Sequence, residues 1–259
     1  MFAIVYSERD VDPLTETFEE RLQEIETYLD LLDALERQVR EGPGPPVVGG
    51  SAITVQQQKI LYSSVYLQLY NLVEATATWC VDAVCEAAAR DGRWLPGDLS
   101  ESFRREWVKH TARTHIDLNQ ENRLDSAVAM CDNLIQALPI LAWTVEKGRG
   151  GNWDEDEIRD IARRLGFELT ISPDVYAGVK RRIRDDKGSL ALVRDLRNRL
   201  AHGSLSFAEC GDGVTVRDLR DLKDRTASYL REVVIAFRAH IDSHEFLIPG
   251  RRPALDPGV

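Results

Sequence analysis

Arg197 and His202 are the residues of this 259-residue chain whose types and spacing best suggest chemistry. They lie in LVRDLRNRLAHGSLSF, residues 192–207. A guanidinium stays charged and can hold two phosphate oxygens at once. An imidazole titrates near neutral pH and can accept or deliver a proton. Together they are the minimum equipment for breaking a phosphodiester without a metal. The histidine would take a proton from an attacking hydroxyl or give one to a leaving oxygen. The arginine would stabilise the extra negative charge of the transition state. On a regular helix a five-residue step separates side chains by ~140°. His202 falls at the expected helix end, just before Gly203, and the turn there is expected to bring it round toward Arg197. The same pattern also fits a capped surface helix with basic residues near its C-terminus, which is favourable by itself.

Neighbouring residues could support such a site. Asn198 could orient Arg197, touch a phosphate or be a polar surface residue. Glu74, on an otherwise apolar stretch, could position Arg197 or His202, or pair with another arginine. Arg194 and Arg199 could hold nucleic-acid phosphates or simply face solvent. Between Lys180 and Gly203 stand eight basic residues against three acidic ones, inside a chain of net charge −10. That asymmetry permits a local polyanion site. The overall charge argues against nonspecific DNA binding, which needs many Lys and Arg contacts.

Other chemistries find little support. Cys80, Cys85, Cys131 and Cys210 form no C-x-x-C pair, and no two histidines have metal-ligand spacing. The cysteines read as small buried hydrophobes in a reducing compartment. The acids at 154–157 read as helix-start residues complementing the dipole. His110, His115, His240 and His244 read as structural or exposed. No Walker A, G-x-G-x-x-G or G-x-S-x-G pattern occurs, and no cofactor is expected. The longest largely apolar run, residues 138–145, contains Pro139 and is far short of the ~20 residues of a membrane span. The N-terminus lacks the pattern of a signal peptide, so a cytoplasmic location is expected.

The elements that must position these residues are helical. Apolar residues at Leu22, Ile25, Leu29, Leu32, Leu35 and Val39 mark a helix over about 16–41. The segment 42–50, GPGPPVVGG, ends it as a loop. Ser51 or Thr54 caps a long helix to about 90, apolar around much of its circumference and so the central one. Helices are predicted over 101–113, 124–145 and 155–165, the last capped by Asn152 or Asp154 and stopped by Gly166. Residues 167–176 alternate and suggest a short strand. A helix opens near Lys187 or Ser189 and runs to about 201. Another runs from about 215 to 240. The fold class is all-α, a helical bundle in one domain over 1–259. An insertion spans about 93–175, and the tail from about 249 is expected to be loose.

The stretch around Arg197, Asn198 and His202 resembles the HEPN superfamily (higher eukaryote and prokaryote nucleotide-binding). Its motif is Arg, a polar residue, three variable residues and His. VRDLRNRLAHGSLSFAECG followed by TVRDLRDLKDRTASYL looks like the MAE-type HEPN-like nucleases. Weaker similarity extends to LYNLVEA (69–75) and GGNWDEDEIRDIARRLGF (150–167). The close resemblance covers about 187–247 and leaves 1–50 and 93–145 uncovered. It implies a four- or five-helix core and metal-independent RNA cleavage by attack of the 2′-hydroxyl on the adjacent phosphate. It also implies a homodimer whose two Arg/His pairs share one interface cleft. Family members often act as toxins or phage-defence nucleases restrained by a partner protein. A different class of function is a catalytically weak module that binds RNA or a partner and regulates. A third is a plain helical dimerisation scaffold.

Overall fold

The computed structural model describes residues 13–42, 44–114, 116–146 and 152–253. Among them are nine α-helices and one two-stranded hairpin. The all-α expectation therefore holds.

The central helix, α2 (Val55–Ala89), packs against α1 (Pro13–Glu41), α7 (Ser189–Ala201), α8 (Phe207–Cys210) and α9 (Val216–Asp242). Its sequence explains that place. Buried residues such as Val65, Leu69, Leu72, Val73, Val81 and Val84 occur around much of its circumference, so several neighbours can cover it. Thr54 caps it in a capping box with Gln57. The α1 helix buries Phe18, Leu22, Ile25, Leu29, Leu32 and Leu35, the expected stripe plus Phe18, while Val39 is exposed. Residues 47–52, inside and beyond the expected loop, form the hairpin: β1 (Val47–Val48) pairs with β2 (Ser51–Ala52) across Gly49 and Gly50.

A second group of helices lies upstream of α7. The α3 helix (Glu101–Thr111) packs on α4 (Gln120–Ile135) and α5 (Glu155–Leu165). Arg164 of α5 and Lys109 donate to the buried Glu106 carboxylate of α3, at 2.7 and 2.6 Å. The helix expected over 124–145 ends at Ile135. Ala137 has a φ of +49°, and Leu138 precedes Pro139, which disfavours helical backbone. The apolar run that follows is non-helical core, with Ile140, Trp143 and Val145 buried and the Ile140 N–H bonded to the Trp94 carbonyl at 2.8 Å.

Residues 167–172 form no strand. Ser172 donates its N–H and hydroxyl to Glu232 of α9, each at 2.6 Å, and Pro173 then opens α6 (Pro173–Lys180). The α6 helix lies against α7 and α9. Gly188 starts α7 because a side chain there would meet the Val179 carbonyl oxygen at 2.2 Å. The chain also stays docked later than expected. Arg251 donates to Asp98 at 2.6 Å and Arg252 to the Leu247 carbonyl at 3.1 Å, so residues 249–253 are tied down, and the remainder of the expected tail lies outside the described residues. Cys80, Cys85 and Cys210 are buried as expected, whereas Cys131 on α4 is exposed.

Candidate active site

The α7 helix carries Arg197, Asn198 and His202 on its C-terminal turns. Its inner face buries Leu192, Val193, Leu196 and Leu200 against the core. Arg197 thereby projects toward α2. Its guanidinium carbon lies over the Tyr70 ring, 3.9 Å from the centroid, as a cation–π pair. One terminal nitrogen donates to Glu74 Oε2 at 3.4 Å and the other to Asn198 Oδ1 at 2.8 Å. Tyr70 and Glu74 sit one turn apart on α2, a spacing that puts both on one helix face. Arg197 keeps 27% of its side chain exposed and so remains within reach of a ligand.

The segment before α5 closes the site from the other side. Asn152 Oδ1 accepts from the Asn198 amide at 2.9 Å. The buried Trp153 donates its backbone N–H to the Tyr70 hydroxyl at 3.3 Å. Asp154 pairs with Arg194 of α7 while capping α5. Burial pushes the Tyr70 phenol up, against the opposing effects of the Trp153 N–H and the Arg197 charge, so the hydroxyl stays protonated at neutral pH. Beside these residues a cleft of about 990 Å³ opens between α5 and α7, lined in part by Asn152, Arg159, Arg163, Arg194 and Asn198.

His202 is placed differently from the expectation. It is exposed, and α7 stays helical up to it, with the His202 N–H bonded to the Asn198 carbonyl at 2.9 Å. The chain turns only afterwards, at Gly203, whose φ of +68° suits glycine. The ~140° between the two side chains is therefore not removed by the helix end. Asn198 lies between them, adjacent to Arg197 and one turn before His202. Among the described residues no hydrogen bond joins Arg197 to His202, and the His202 ring has no hydrogen-bond partner.

The remaining candidates divide. Glu74 and Asn198 both reach Arg197. Arg194 is engaged by Asp154 in the cleft wall. Arg199 points away from Arg197 and lies 3.9 and 3.8 Å from Asp185 and Asp195. Much of the basic run upstream is also used internally. Lys180 pairs with Glu155, Arg182 with Asp186 and Lys187 with Asp195, and Arg184 donates to the Cys210 carbonyl. Among the described residues no group of three or more His, Cys, Asp or Glu is placed to hold a metal ion.

Tyr70, Asn152 and Asp154 were not among the expected site residues, and Trp153 was expected only as packing. The i,i+4 spacing of Tyr70 and Glu74 was a readable hint. The pairing of Trp153 with Tyr70, 83 residues apart, had no sequence signature.

The family model for the MAE-type HEPN-like domain matches residues 11–246. The chain belongs to the HEPN superfamily. The match extends well beyond 187–247 and takes in residues 11–50 and 93–145, which the close resemblance leaves uncovered. HEPN domains are all-α and generally RNase-like, so this chain is a nuclease-type or RNA-related module. Neither a curated protein nor a solved structure matches it. No helix among the described residues is long and apolar enough to cross a membrane.

Proposed function

We propose that this HEPN protein is a metal-independent endoribonuclease in which Arg197 clamps the scissile phosphate and His202 moves the proton. The observation that carries this reading is the state of Arg197. It lies over the face of Tyr70 and is steadied by Glu74 and Asn198, yet is partly exposed. A guanidinium has five N–H donors, and two are committed here, which leaves others for phosphate oxygens. The RNA 2′-hydroxyl attacks the adjacent phosphorus, the P–O5′ bond breaks, and the products are a 2′,3′-cyclic phosphate and a 5′-hydroxyl. His202 takes the 2′-hydroxyl proton or protonates the leaving O5′. Arg197 offsets the charge that builds on the non-bridging oxygens.

The angular separation of Arg197 and His202 favours a composite site. In a homodimer with α7 at the interface, His202 of one copy can complete the site of the other, so that two Arg/His pairs share one cleft. Role follows by analogy within the superfamily: a cytoplasmic toxin or antiviral effector held by an inhibitory partner. The same separation also supports the second reading, a catalytically weak module that binds RNA or a partner protein.

Incubating an RNA pool in EDTA with wild-type, Arg197→Ala and His202→Ala proteins tests the proposal. Cleavage by wild type alone, with cyclic-phosphate and 5′-hydroxyl ends, is expected. Equal cleavage by all three would refute it. Binding without cleavage in all three would favour the regulatory module.

A further inference from the structure

We propose that Tyr70 is a positioning residue for Arg197, and that Asn152 and Trp153 hold the assembly in place; this rests on Arg197 being the phosphate clamp. A guanidinium donates only in its own plane, so its usefulness depends on how that plane is set. The Tyr70 face, 3.9 Å away, fixes the plane. Glu74 and Asn198 fix the rotation within the plane by accepting from one terminal nitrogen each.

Each of these supports is itself supported. The Tyr70 ring is fully buried, and its hydroxyl accepts the Trp153 N–H. Trp153 is buried too, so that backbone position is set by core packing. Asn198 donates its amide to Asn152. Neighbouring residues 152 and 153 thus hold the two groups that grip Arg197 from different sides. The arrangement resembles the way buried second partners orient a reacting group, where a displacement of ~1 Å can cost ~100-fold in rate. A tyrosine that merely filled the core would still need a partner for its buried hydroxyl, but it would not need a cation over its face.

The test compares RNA cleavage by wild type, Tyr70→Phe, Tyr70→Leu, Arg197→Ala and the Tyr70→Leu/Arg197→Ala double variant, with urea unfolding of each. The proposal expects Tyr70→Phe, which keeps the ring but loses the bond from Trp153, to lower kcat measurably but clearly less than Tyr70→Leu. Tyr70→Leu should lower kcat roughly 10- to 100-fold with a smaller change in KM. In the Arg197→Ala background the leucine should take almost nothing from the residual rate, read in single turnover at high enzyme concentration, since a positioning residue acts through what it positions. Wild-type kcat in Tyr70→Leu, or its full loss repeated on top of Arg197→Ala, would overturn the proposal.

A second measurement does not depend on activity or on the leucine variant folding. In wild-type protein the Arg197 Nε–H resonance should be shifted upfield by the Tyr70 ring current and show cross-relaxation with the ring protons. A resonance at the ordinary exposed-arginine position would overturn the proposal. If wild type cleaves no RNA, the nuclease reading fails, and this resonance alone decides whether Tyr70 sets the guanidinium.

Discussion

Asp154 uses its two carboxylate oxygens on two different helices. Oδ1 accepts the Asp156 and Glu157 N–H groups at 3.1 and 2.9 Å and caps α5, while Oδ2 takes the Arg194 guanidinium of α7. One side chain therefore fixes where α5 begins and ties that point to the helix bearing Arg197. Asp154→Asn keeps a good cap and weakens the ion pair; Asp154→Ala loses both. Urea unfolding should show a loss of ~1–2 kcal/mol or more for alanine and clearly less for asparagine. Equal losses would mean that the cap contributes little.

Arg197 and His202 project from different sides of α7, which makes the composite-site reading testable by mixing. Arg197→Ala and His202→Ala proteins should each keep no more than a small residual rate alone. If a working pair draws its two residues from different copies, a re-equilibrated equimolar mixture should recover about a quarter of wild-type activity. Half of the dimers would then be mixed, and each would hold one intact pair. A mixture as inactive as its components would place both members of the pair in one copy.

His240, buried on α9, stacks on Phe167 at 4.4 Å between ring centroids. Burial holds its pKa below the ordinary histidine value, against the opposing pull of Glu245, and Arg252 adds to the lowering. The unfolded chain therefore binds a proton on cooling pH before the folded protein does. This group costs no stability above pH ~6.5, and stability falls as the pH drops from there toward the lowered folded value. His240→Phe should give a flatter dependence of unfolding free energy between pH 7.5 and 5.5 than wild type. Identical slopes would refute this assignment.

Leu124, Val128 and Ile135 of α4 are 63%, 50% and 81% exposed, and α4 buries no residue. Replacing any of them with serine should change stability by no more than ~0.5 kcal/mol. Leu69→Ala on α2, fully buried, should cost ~2–5 kcal/mol. Thermal and urea unfolding of the four variants checks the contrast. A large loss at Leu124 would mean that α4 packs more closely than its exposure indicates.

The sequence by itself determined most of what is local in this protein. The stripe from Leu22 to Leu35, the stops at Gly166 and Gly203 and the central place of α2 all follow from helical periodicity and end chemistry, whereas the caps were narrowed only to Ser51 or Thr54 and to Asn152 or Asp154, and the fold uses Thr54 and Asp154. Arg197, Asn198 and His202 were legible because they sit within six residues of one helix. The reading failed where tertiary contacts override local preference. Residues 138–145 are apolar enough for a helix, but Pro139 and the pairing with Trp94 make them irregular core. Residues 167–172 alternate, yet Glu232 on a distant helix claims Ser172. The site itself was decided by the fold. Only packing α2, the start of α5 and α7 together brings Tyr70, Glu74, Asn152 and Trp153 around Arg197. Such long-range partners cannot be read from spacing, because their meeting depends on how whole helices bury their apolar faces.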